Sequence, residues 1–427
     1  MDTTAPDLGM DLAEAARDPD LAVLAEVLHT TGPVVRAPYP AGGYVWVVTE
    51  PGIARKVLSD TRLVKDAALA PPHWTEVFTV LGTRSRPHPG LIAVEGAQHR
   101  RLRNVHAPAF TPRRIRALEP RIRAACDERL DRIATMGANP VDVVAEYCYP
   151  VPLTVIGELL GIPPTAHADL RQATEDIAYG AEHSVRKAGR ALLAHWVERA
   201  VESKRDQPGE DFISDLVAVH EADPDLLQAE ELTAAVTGLI FAGHETTAGL
   251  LASLLMTVVT DPEAREAAKT DAGAAALVEE TLRLFPPVPN TTWRFAAEPL
   301  TIGGHEVPRG AAVLVSILAV NRCPVNHGAV DGAENGAENG APSAERDHLS
   351  FGYGPHYCIG AGLSRTEARI AVRAFVDRFP DVKLAVDQSE LTWDSSLPLR
   401  RLRSLPVSLT ADHTSGSDHV EDSGRAA

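Results

Sequence analysis

The sequence predicts a mainly α-helical protein with small β-sheets. Strand-like runs are few and short, and they do not alternate with helices as in a parallel α/β fold. The chain has 427 residues, of which 44% are hydrophobic, so it can bury a large core. Helical patterns cover most of the chain, with candidate helices at 98–109, 113–135, 140–161, 166–179, 184–204, 229–260, 262–284 and 360–379.

Short strands are predicted at both ends of the chain. The first, 44–48, is β-branched and aromatic and is bounded by glycine-containing turns. The segment 229–260 is apolar on nearly every face, which predicts a central buried helix. The remaining strands are predicted after the helices, at 299–302, 306–307, 312–316, 383–386 and 406–409.

Several segments are predicted to lie outside the packed core. Residues 1–20 and 411–427 are polar and rich in small residues, which predicts disordered tails around a single domain at 21–410. The proline-rich segment 70–89 predicts a long loop suited to a lid. The repeated Gly-Ala-Glu-Asn sequence at 332–339 cannot pack a core, and its role stays open.

Charge and cysteine content limit the class of protein. The chain has 41 Lys and Arg against 58 Asp and Glu, a net charge of −17, which argues against nucleic-acid binding. The N-terminus lacks the basic and apolar regions of a signal peptide, and no run approaches the length of a membrane span, so no membrane partner is expected. The cysteines lack the spacing of a disulfide framework, which favours the reducing cytoplasm: Cys126, Cys148, Cys323 and Cys358.

One of these cysteines lies where a glycine-rich loop enters a helix. Cys358 follows Gly352, Gly354 and Pro355, and a helical segment begins near Gly360. Helix N-terminal N–H groups stabilise a thiolate, and glycines let a large flat group approach the loop. A metal-ligating thiolate is therefore predicted, with a buried free cysteine in a turn as the alternative.

This loop resembles the haem-ligand loop of the cytochrome P450 monooxygenases. The resemblance is carried by Phe351, Gly354, His356, Cys358 and Gly360. It implies the cytochrome P450 fold, with haem b held between the long central helix and the cysteine loop with its helix. It also implies that the Cys358 thiolate is the axial iron ligand, with Phe351, Gly352 and Gly360 lining the haem.

The central helix carries a second similar motif at 242–247. Ala242 and Gly243 are small enough for a ligand to approach the helix, and Thr246 can bond back to a carbonyl and loosen the turn. The resemblance implies that Ala242 and Gly243 contact the haem and that Glu245 and Thr246 deliver protons during oxygen activation. A glycine-induced irregularity in a core helix is the alternative. A zinc protease is disfavoured because no second histidine follows His244 at helical spacing.

A third element lies between the central helix and the cysteine. Glu280 and Arg283 are three residues apart on one helical face and can form an ion pair, and Pro286 and Pro287 end that helix. Such a pair is common on helix surfaces and is weak evidence by itself. It resembles the Glu-x-x-Arg element of the family, which implies a structural role beneath the haem.

Basic residues are predicted to bind the haem propionates. His99 and Arg103 lie one helical turn apart and can reach one anion, with a solvated basic helix as the alternative. The resemblance adds Arg294 and His356 as propionate contacts. Arginines at 100, 101, 113, 114, 365 and 369 form a hypothetical docking patch for an acidic ferredoxin.

One region departs from the family pattern. Between Arg322 and His348, Cys323 and Pro324 precede the Gly-Ala-Glu-Asn repeat, where family members carry an Asp-Pro start and a Phe-Asp-x-x-Arg segment. The resemblance therefore leaves open whether Arg346 replaces the arginine expected beside Glu280 and Arg283.

The predicted function is oxidation of a small, largely apolar organic compound in bacterial secondary metabolism, such as antibiotic biosynthesis. Hydroxylation or epoxidation would use electrons from NAD(P)H through a ferredoxin reductase and a ferredoxin. The sequence does not choose the compound, its oxidised position, the native redox partner or the oligomeric state. Pocket residues are transferred by position from the family, with core packing as the alternative, favoured for Leu239 and Val288: His88, Leu91, Ile92, Ile177, Tyr179, Leu239, Val288, Asn290, Thr291 and Leu397.

Other activities remain open. The same scaffold could carry out oxidative coupling of phenols or use peroxide, although Glu245 and Thr246 argue against a dedicated peroxide-using enzyme. A non-catalytic haem sensor is the alternative from another class, and it would show no substrate-dependent consumption of NAD(P)H.

Overall fold

A computed structural model describes most of the chain and confirms a mainly helical fold. The described residues are 5–38, 42–71, 82–83, 86–87, 89–137, 139–323 and 348–409. The predicted tail 411–427, the repeat at 332–339, most of the predicted lid at 70–89, and Arg346 lie outside them. The α-helices of the described residues are Leu12–Ala15 (α1), Leu21–Thr31 (α2), Pro51–Ser59 (α3), Gly96–His106 (α4), Pro112–Thr135 (α5), Pro150–Leu160 (α6), His167–Tyr179 (α7), His183–Asp206 (α8), Phe212–Ala222 (α9), Ala229–Thr260 (α10), Pro262–Ala268 (α11), Asp271–Leu284 (α12), Ile317–Arg322 (α13) and Ala361–Arg378 (α14).

Short strands form small sheets beside the helices. The largest sheet has five strands in the order β1-β2-β10-β7-β3, in which β2 and β10 are parallel and the other pairs antiparallel. The strands are Val34–Pro38 (β1), Tyr44–Val48 (β2), Leu63–Val64 (β3), Gly82–Thr83 (β4), Arg86–Pro87 (β5), Val141–Asp142 (β6), Arg294–Ala296 (β7), Leu300–Ile302 (β8), His305–Val307 (β9), Ala312–Val315 (β10), Lys383–Leu384 (β11), Trp393–Ser395 (β12), Arg400–Leu402 (β13) and Pro406–Ser408 (β14).

The five-stranded sheet buries both of its faces. Strand side chains alternate between faces, so Val45 and Val47 join one apolar cluster, whereas Trp46 and Val48 join another. Helix α2 packs on the first face through Leu24. This arrangement confirms the strand predicted at 44–48.

Helix α10 is the centre of the largest hydrophobic cluster. Its 32 residues span about 48 Å, and a capping box between Gln228 and Glu231 begins it. The helix is long and apolar enough to cross a membrane, yet 72% of its most apolar window is buried by the rest of the protein. The prediction of a central buried helix at 229–260 is confirmed.

Several predicted bounds are wrong for local reasons. Residues 5–20 are not a disordered tail, because Leu8 and Leu12 are buried and Asp11 caps α1. The predicted helix 262–284 is two helices, since the Thr270 hydroxyl accepts a hydrogen bond from the Gly273 N–H and starts α12 anew. The segment 140–161 contains β6 and a π-helical turn before Pro150 starts α6. Helices α2, α3, α9 and α13 and strands β1 and β7 were not predicted.

Candidate active site

The cysteine loop is held by the chain's own backbone. The Cys358 N–H donates to the Phe351 carbonyl at 2.8 Å, which closes the loop before α14. Gly354 has φ +73°, and a side chain there would lie 3.0 Å from Ser59 Oγ at the end of α3. Glycine therefore meets both a conformational and a steric requirement at this position.

The Cys358 thiol is accessible although protein surrounds it. Burial raises its pKa, and the backbone N–H groups of Gly360 and Ala361 and the charge of Arg103 offset only part of that increase. The loop and helix alone thus do not produce the thiolate that the sequence predicts, because desolvation outweighs them. A bound metal cation would supply the missing stabilisation.

Helix α10 has an accessible side that includes Thr246, the residue whose hydroxyl is predicted to take part in proton delivery. Ala242 is exposed and Thr246 half-buried, in a helix whose neighbouring residues are mostly buried. The Thr246 hydroxyl donates to the Ala242 carbonyl at 2.7 Å, which confirms the predicted back-bond. The expected loosening of the turn is wrong, because α10 continues unbroken through this region.

Gly243 also allows α10 to pack closely against α6, and its predicted haem contact stays a prediction. A side chain at this position would lie 2.9 Å from Ile156 Cδ1 on α6. Its small size is therefore explained by the close packing of α10 against α6, whereas Ala242 lies on the accessible side.

Glu245 is buried among polar residues from four other parts of the chain. Its Oε2 accepts a hydrogen bond from the Tyr149 hydroxyl at 3.3 Å and lies 4.0 Å from Arg401 Nη1. Burial raises the pKa of Glu245, and Arg401 opposes that increase. We call this group the acidic cluster: Tyr149, Glu175, Glu245, Asp394 and Arg401.

The predicted propionate contacts gather around a single carboxylate. His356 Nε2 lies 3.0 Å from Glu95 Oε2, and the rings of His99 and His356 are 4.2 Å apart. Lys65, which the sequence did not single out, is buried with its Nζ hydrogen-bonded to the Thr292 hydroxyl. We call this group the cationic cluster: Lys65, Glu95, His99, Arg294 and His356.

Burial makes positive charge costly in the cationic cluster. It lowers the pKa of Lys65 well below its ordinary value, that of Arg294 to about 10 and that of His356 to about 4. Buried His99 Nε2 has no hydrogen-bond partner among the described residues. An anion placed here would satisfy this nitrogen and stabilise the cations.

Arg103 links the cationic cluster to the cysteine loop. Its charge lowers the pKa of both His99 and Cys358, so it lies near each of them. The predicted placement of His99 and Arg103 on one face of a helix is confirmed by α4. Arg103 therefore lies near both the cationic cluster and the thiol.

The Glu280–Arg283 ion pair forms as predicted, at 2.6 Å. Arg283 also donates to the Asn321 carbonyl, which ties α12 to α13. The neighbouring Glu279 makes the longer-range contact: it binds Arg365 of α14 at 2.7 Å and His348 at 3.1 Å. These bonds lower the pKa of Glu279 to about 2 against the opposing effect of burial.

The predicted docking arginines differ in their availability. Arg365 has 17% of its side chain exposed and binds Glu279, so it contributes little to a surface patch. Arg101 binds Glu231 at 2.5 Å and Arg114 binds Asp215 at 3.1 Å. Arg100 and Arg113 are exposed.

The proposed pocket residues occupy several environments. Asn290 donates to the Leu397 carbonyl at 3.0 Å, and Thr291 Oγ1 accepts from the Val315 N–H at 3.0 Å, so both fix the backbone near β10. Tyr179 packs its ring 4.2 Å from the Arg401 guanidinium. The side chain of His88 lies outside the described residues. The half-buried Leu91, Ile177 and Leu239 pack on the core, Val288 is half-buried, and Ile92 is 41% exposed.

Comparison with known proteins identifies the family. The family model described as Cytochrome P450 matches residues 176–272 and 274–327. Cytochrome P-450 monooxygenase DoxA of Streptomyces sp. (strain C5) is 38% identical over 402 residues, which cover 90% of this chain and 93% of the relative. The 6-deoxyerythronolide B hydroxylase of Saccharopolyspora erythraea is 32% identical, covering 95% of this chain and 99% of that protein.

A solved structure gives the same assignment. The tirandamycin C-bound P450 monooxygenase TamI superposes with a TM-score of 0.81 at 28% identity, covering 95% of this chain and 100% of that chain. The protein belongs to the cytochrome P450 family. It has the cytochrome P450 fold, is a haem-thiolate monooxygenase and binds haem b.

The described residues fit the haem. The Cys358 thiol supplies a metal ligand, and the unpartnered His99 Nε2 with its neighbouring cations suits the two propionates. Within the described ranges, no group of three His, Cys, Asp or Glu residues is placed to hold a bare metal ion.

Sequence reasoning missed several residues of these clusters. Lys65, Glu95, Tyr149 and Arg401 come from separate segments, and none stands in a short motif. The signal for Lys65 would have been a lysine in an apolar stretch next to β3. For Arg401, two adjacent arginines in a segment with no predicted element offered only an ambiguous signal.

Proposed function

We propose that this cytochrome P450 hydroxylates or epoxidises a medium or large, largely apolar metabolite of bacterial secondary metabolism. The carrying observation is that Arg103 lies near both the accessible Cys358 thiol and His99 of the cationic cluster, while α10 presents Ala242 and Thr246 on an accessible side. The named relatives support this substrate class: one is a 6-deoxyerythronolide B hydroxylase, and one solved relative binds tirandamycin C. Cytoplasmic localisation is part of the proposal.

The cofactor would be held from two sides. Cys358 would ligate the iron, Phe351, Gly352 and Gly360 would line the loop side, and Ala242 would lie on the α10 side. Arg103, His99, Arg294 and His356 would bind the propionates, joined by Lys65, while Glu280 and Arg283 would brace the structure beneath. When bound, the haem would supply the activation of O2, in a reaction that adds one oxygen atom to the substrate and forms water from the other with two electrons from NAD(P)H and two protons.

The chain's own residues would control protons. The Thr246 hydroxyl donates to Ala242, so its oxygen lone pairs remain available to accept a hydrogen bond on the accessible side of α10. Glu245, one residue earlier, lies in the acidic cluster and would exchange protons between that cluster and Thr246.

Electrons would arrive from a ferredoxin reduced by its NAD(P)H-linked reductase. Arg114 is exposed but paired with Asp215, so the test uses two other exposed members of the predicted docking patch, Arg100 and Arg113. Reversal of both charges should slow reduction by an acidic ferredoxin and weaken its salt dependence. Unchanged reduction by every ferredoxin tested would exclude this docking surface.

The proposed thiolate ligand is tested by spectroscopy of the reduced carbon-monoxide adduct. The wild type should give the thiolate-type spectrum, and Cys358→Ser should lose it completely. Cys323→Ser is the matched control, because Cys323 is a buried cysteine at the end of α13 and should leave the spectrum unchanged. A histidine-type spectrum in the wild type would contradict the assignment.

The reaction is tested by product analysis. The haem-loaded protein is incubated with NAD(P)H, a ferredoxin and its reductase, and a panel of metabolites that includes 6-deoxyerythronolide B and tirandamycin C. Products heavier by one oxygen atom are expected. Coupled dimers without added oxygen would favour oxidative coupling, and equal turnover with peroxide alone would favour a peroxide-using enzyme.

A further inference from the structure

Arg401 is the hub of the acidic cluster. It lies on β13 opposite Asp394 of β12, and 7% of its side chain is exposed. Its guanidinium reaches Glu175 of α7 at 2.5 Å, Asp394 at 3.2 Å and Glu245 of α10 at 4.0 Å. One arginine thus connects the terminal hairpin to two helices.

Arg401 also sets the direction of the Tyr149 hydroxyl. Guanidinium N–H groups only donate, so the Arg401 Nη1–Tyr149 bond uses the tyrosine oxygen as an acceptor. The single tyrosine proton is therefore directed to Glu245 Oε2, 3.3 Å away. In the resulting series of hydrogen bonds, Arg401 donates to Tyr149 and Tyr149 donates to Glu245, so every donor points towards Glu245.

Burial and the neighbouring acids disfavour the ionised form of Glu245, whereas Thr174 of α7, like Tyr149, favours it through its side chain. Glu175 and Tyr179 face it from α7, and its neighbour His244 has a pKa lowered to about 3 by burial, which makes that ring neutral. Arg401 is the cation that favours the carboxylate. Without it, a buried ionised glutamate would carry a large desolvation cost.

We propose that Arg401 is a positioning residue for Glu245: its charge and its hydrogen bond through Tyr149 hold Glu245 as an oriented carboxylate beside Thr246. This inference rests on the proposed role of Glu245 and Thr246 in proton delivery. It assigns to the terminal β-hairpin a function in the chemistry of α10. Arg401 itself acts only through Tyr149 and Glu245.

The adjacent Arg400 offers a matched control. It too is buried on β13, but it donates to the carbonyls of Ala16 and Asp18 at 2.7 and 2.9 Å and stacks on Trp393. None of these partners belongs to the acidic cluster. Loss of Arg400 therefore reports the structural cost of removing a buried arginine from this strand.

The deciding experiment is infrared spectroscopy of the haem-loaded protein at neutral pH. Buried Glu367, with a pKa raised to about 8, already contributes one protonated carboxyl in the wild type. Arg401→Gln should add the absorbance of one further protonated carboxyl, and this added band should be missing from the Arg401→Gln/Glu245→Gln double variant. Arg401→Lys, which keeps the charge, should restore most of the wild-type spectrum, and Arg400→Gln should show no new band. Absence of the band in folded Arg401→Gln, or its persistence without Glu245, would overturn the proposal.

A measurement of coupling, the amount of product formed per NAD(P)H consumed, separates this inference from the proton-delivery role on which it rests. With the panel compound that is oxidised, product per NAD(P)H should fall several-fold in Arg401→Gln and similarly in Glu245→Gln, while substrate binding stays unchanged. If Thr246→Ala leaves coupling unchanged, the proton-delivery role fails. If Thr246→Ala and Glu245→Gln uncouple but Arg401→Gln does not, only the positioning role fails.

Discussion

The two buried polar clusters of this protein have opposite imbalances of charge. In the cationic cluster, Lys65, Arg294 and two histidines surround the carboxylate of Glu95. In the acidic cluster, Arg401 is surrounded by the carboxylates of Glu175, Asp394 and Glu245. Both clusters are assembled from segments far apart in sequence.

The difference teaches what each cluster requires. Burial lowers the pKa of the lysine and arginine in the cationic cluster, so that cluster is stabilised by an added anion such as a propionate. Burial raises the pKa of Glu245, so the acidic cluster favours a carboxyl group that gains and loses a proton. One cluster therefore suits cofactor binding, and the other suits proton exchange.

The largest expected effect comes from removing the cations. The Lys65→Met/Arg294→Gln double variant should lose haem about 10²–10⁴-fold faster, because each charge-assisted bond contributes about 1.5–3 kcal/mol and each 1.4 kcal/mol is a factor of about ten. Haem transfer from the loaded protein to an acceptor apoprotein measures the rate.

Arg322→Gln is the control for this variant. Arg322 is a half-buried arginine bonded to the Leu284 carbonyl, so its loss should lower stability without faster haem transfer. Equal rates in the double variant and the wild type would contradict the role of the cationic cluster.

An intermediate effect is expected at Glu367, a buried acid that belongs to neither cluster. Burial raises its pKa from 4.5 to about 8, so the folded state holds a proton that the unfolded state releases over that interval. The free energy of unfolding should therefore fall as pH rises from about 4.5 to about 8, by at most a few kcal/mol at about 1.4 kcal/mol per pKa unit.

Thermal unfolding across this pH range tests the prediction. Glu367→Gln should flatten the decline, because the amide carries no proton to release. Glu221→Gln, at an exposed acid of α9, should keep the wild-type slope. An identical decline in Glu367→Gln and the wild type would assign it to other groups.

The smallest effect is expected at Glu95. Glu95→Gln removes the carboxylate that accepts from His356, with 30% of its side chain exposed, so the haem-free protein should lose about 1 kcal/mol of stability. Haem retention should stay near that of the wild type, because the cations remain. Faster haem loss, as in the double variant, would show that Glu95 binds the cofactor together with the cations.

Local patterns in the sequence predicted much of the fold and part of the site. The apolar run at 229–260, the β-branched and aromatic run at 44–48, the i,i+3 pair of Glu280 and Arg283 and the back-bond of Thr246 all depend on residues close in the chain. Short elements such as β7 and the break at Thr270 were missed, because three-residue strands and single caps leave weak patterns.

The sequence by itself determined the family, and it pointed to the cysteine proposed to bind the iron and to the acid and alcohol of α10, since each lies in a contiguous motif. Only the tertiary structure decided which charges share a buried environment. It brought Lys65 and Glu95 to Arg294, and Arg401 to Glu245. The physical reason is that desolvation and Coulomb energy depend on distance and burial in space, and these quantities are set by packing between remote segments.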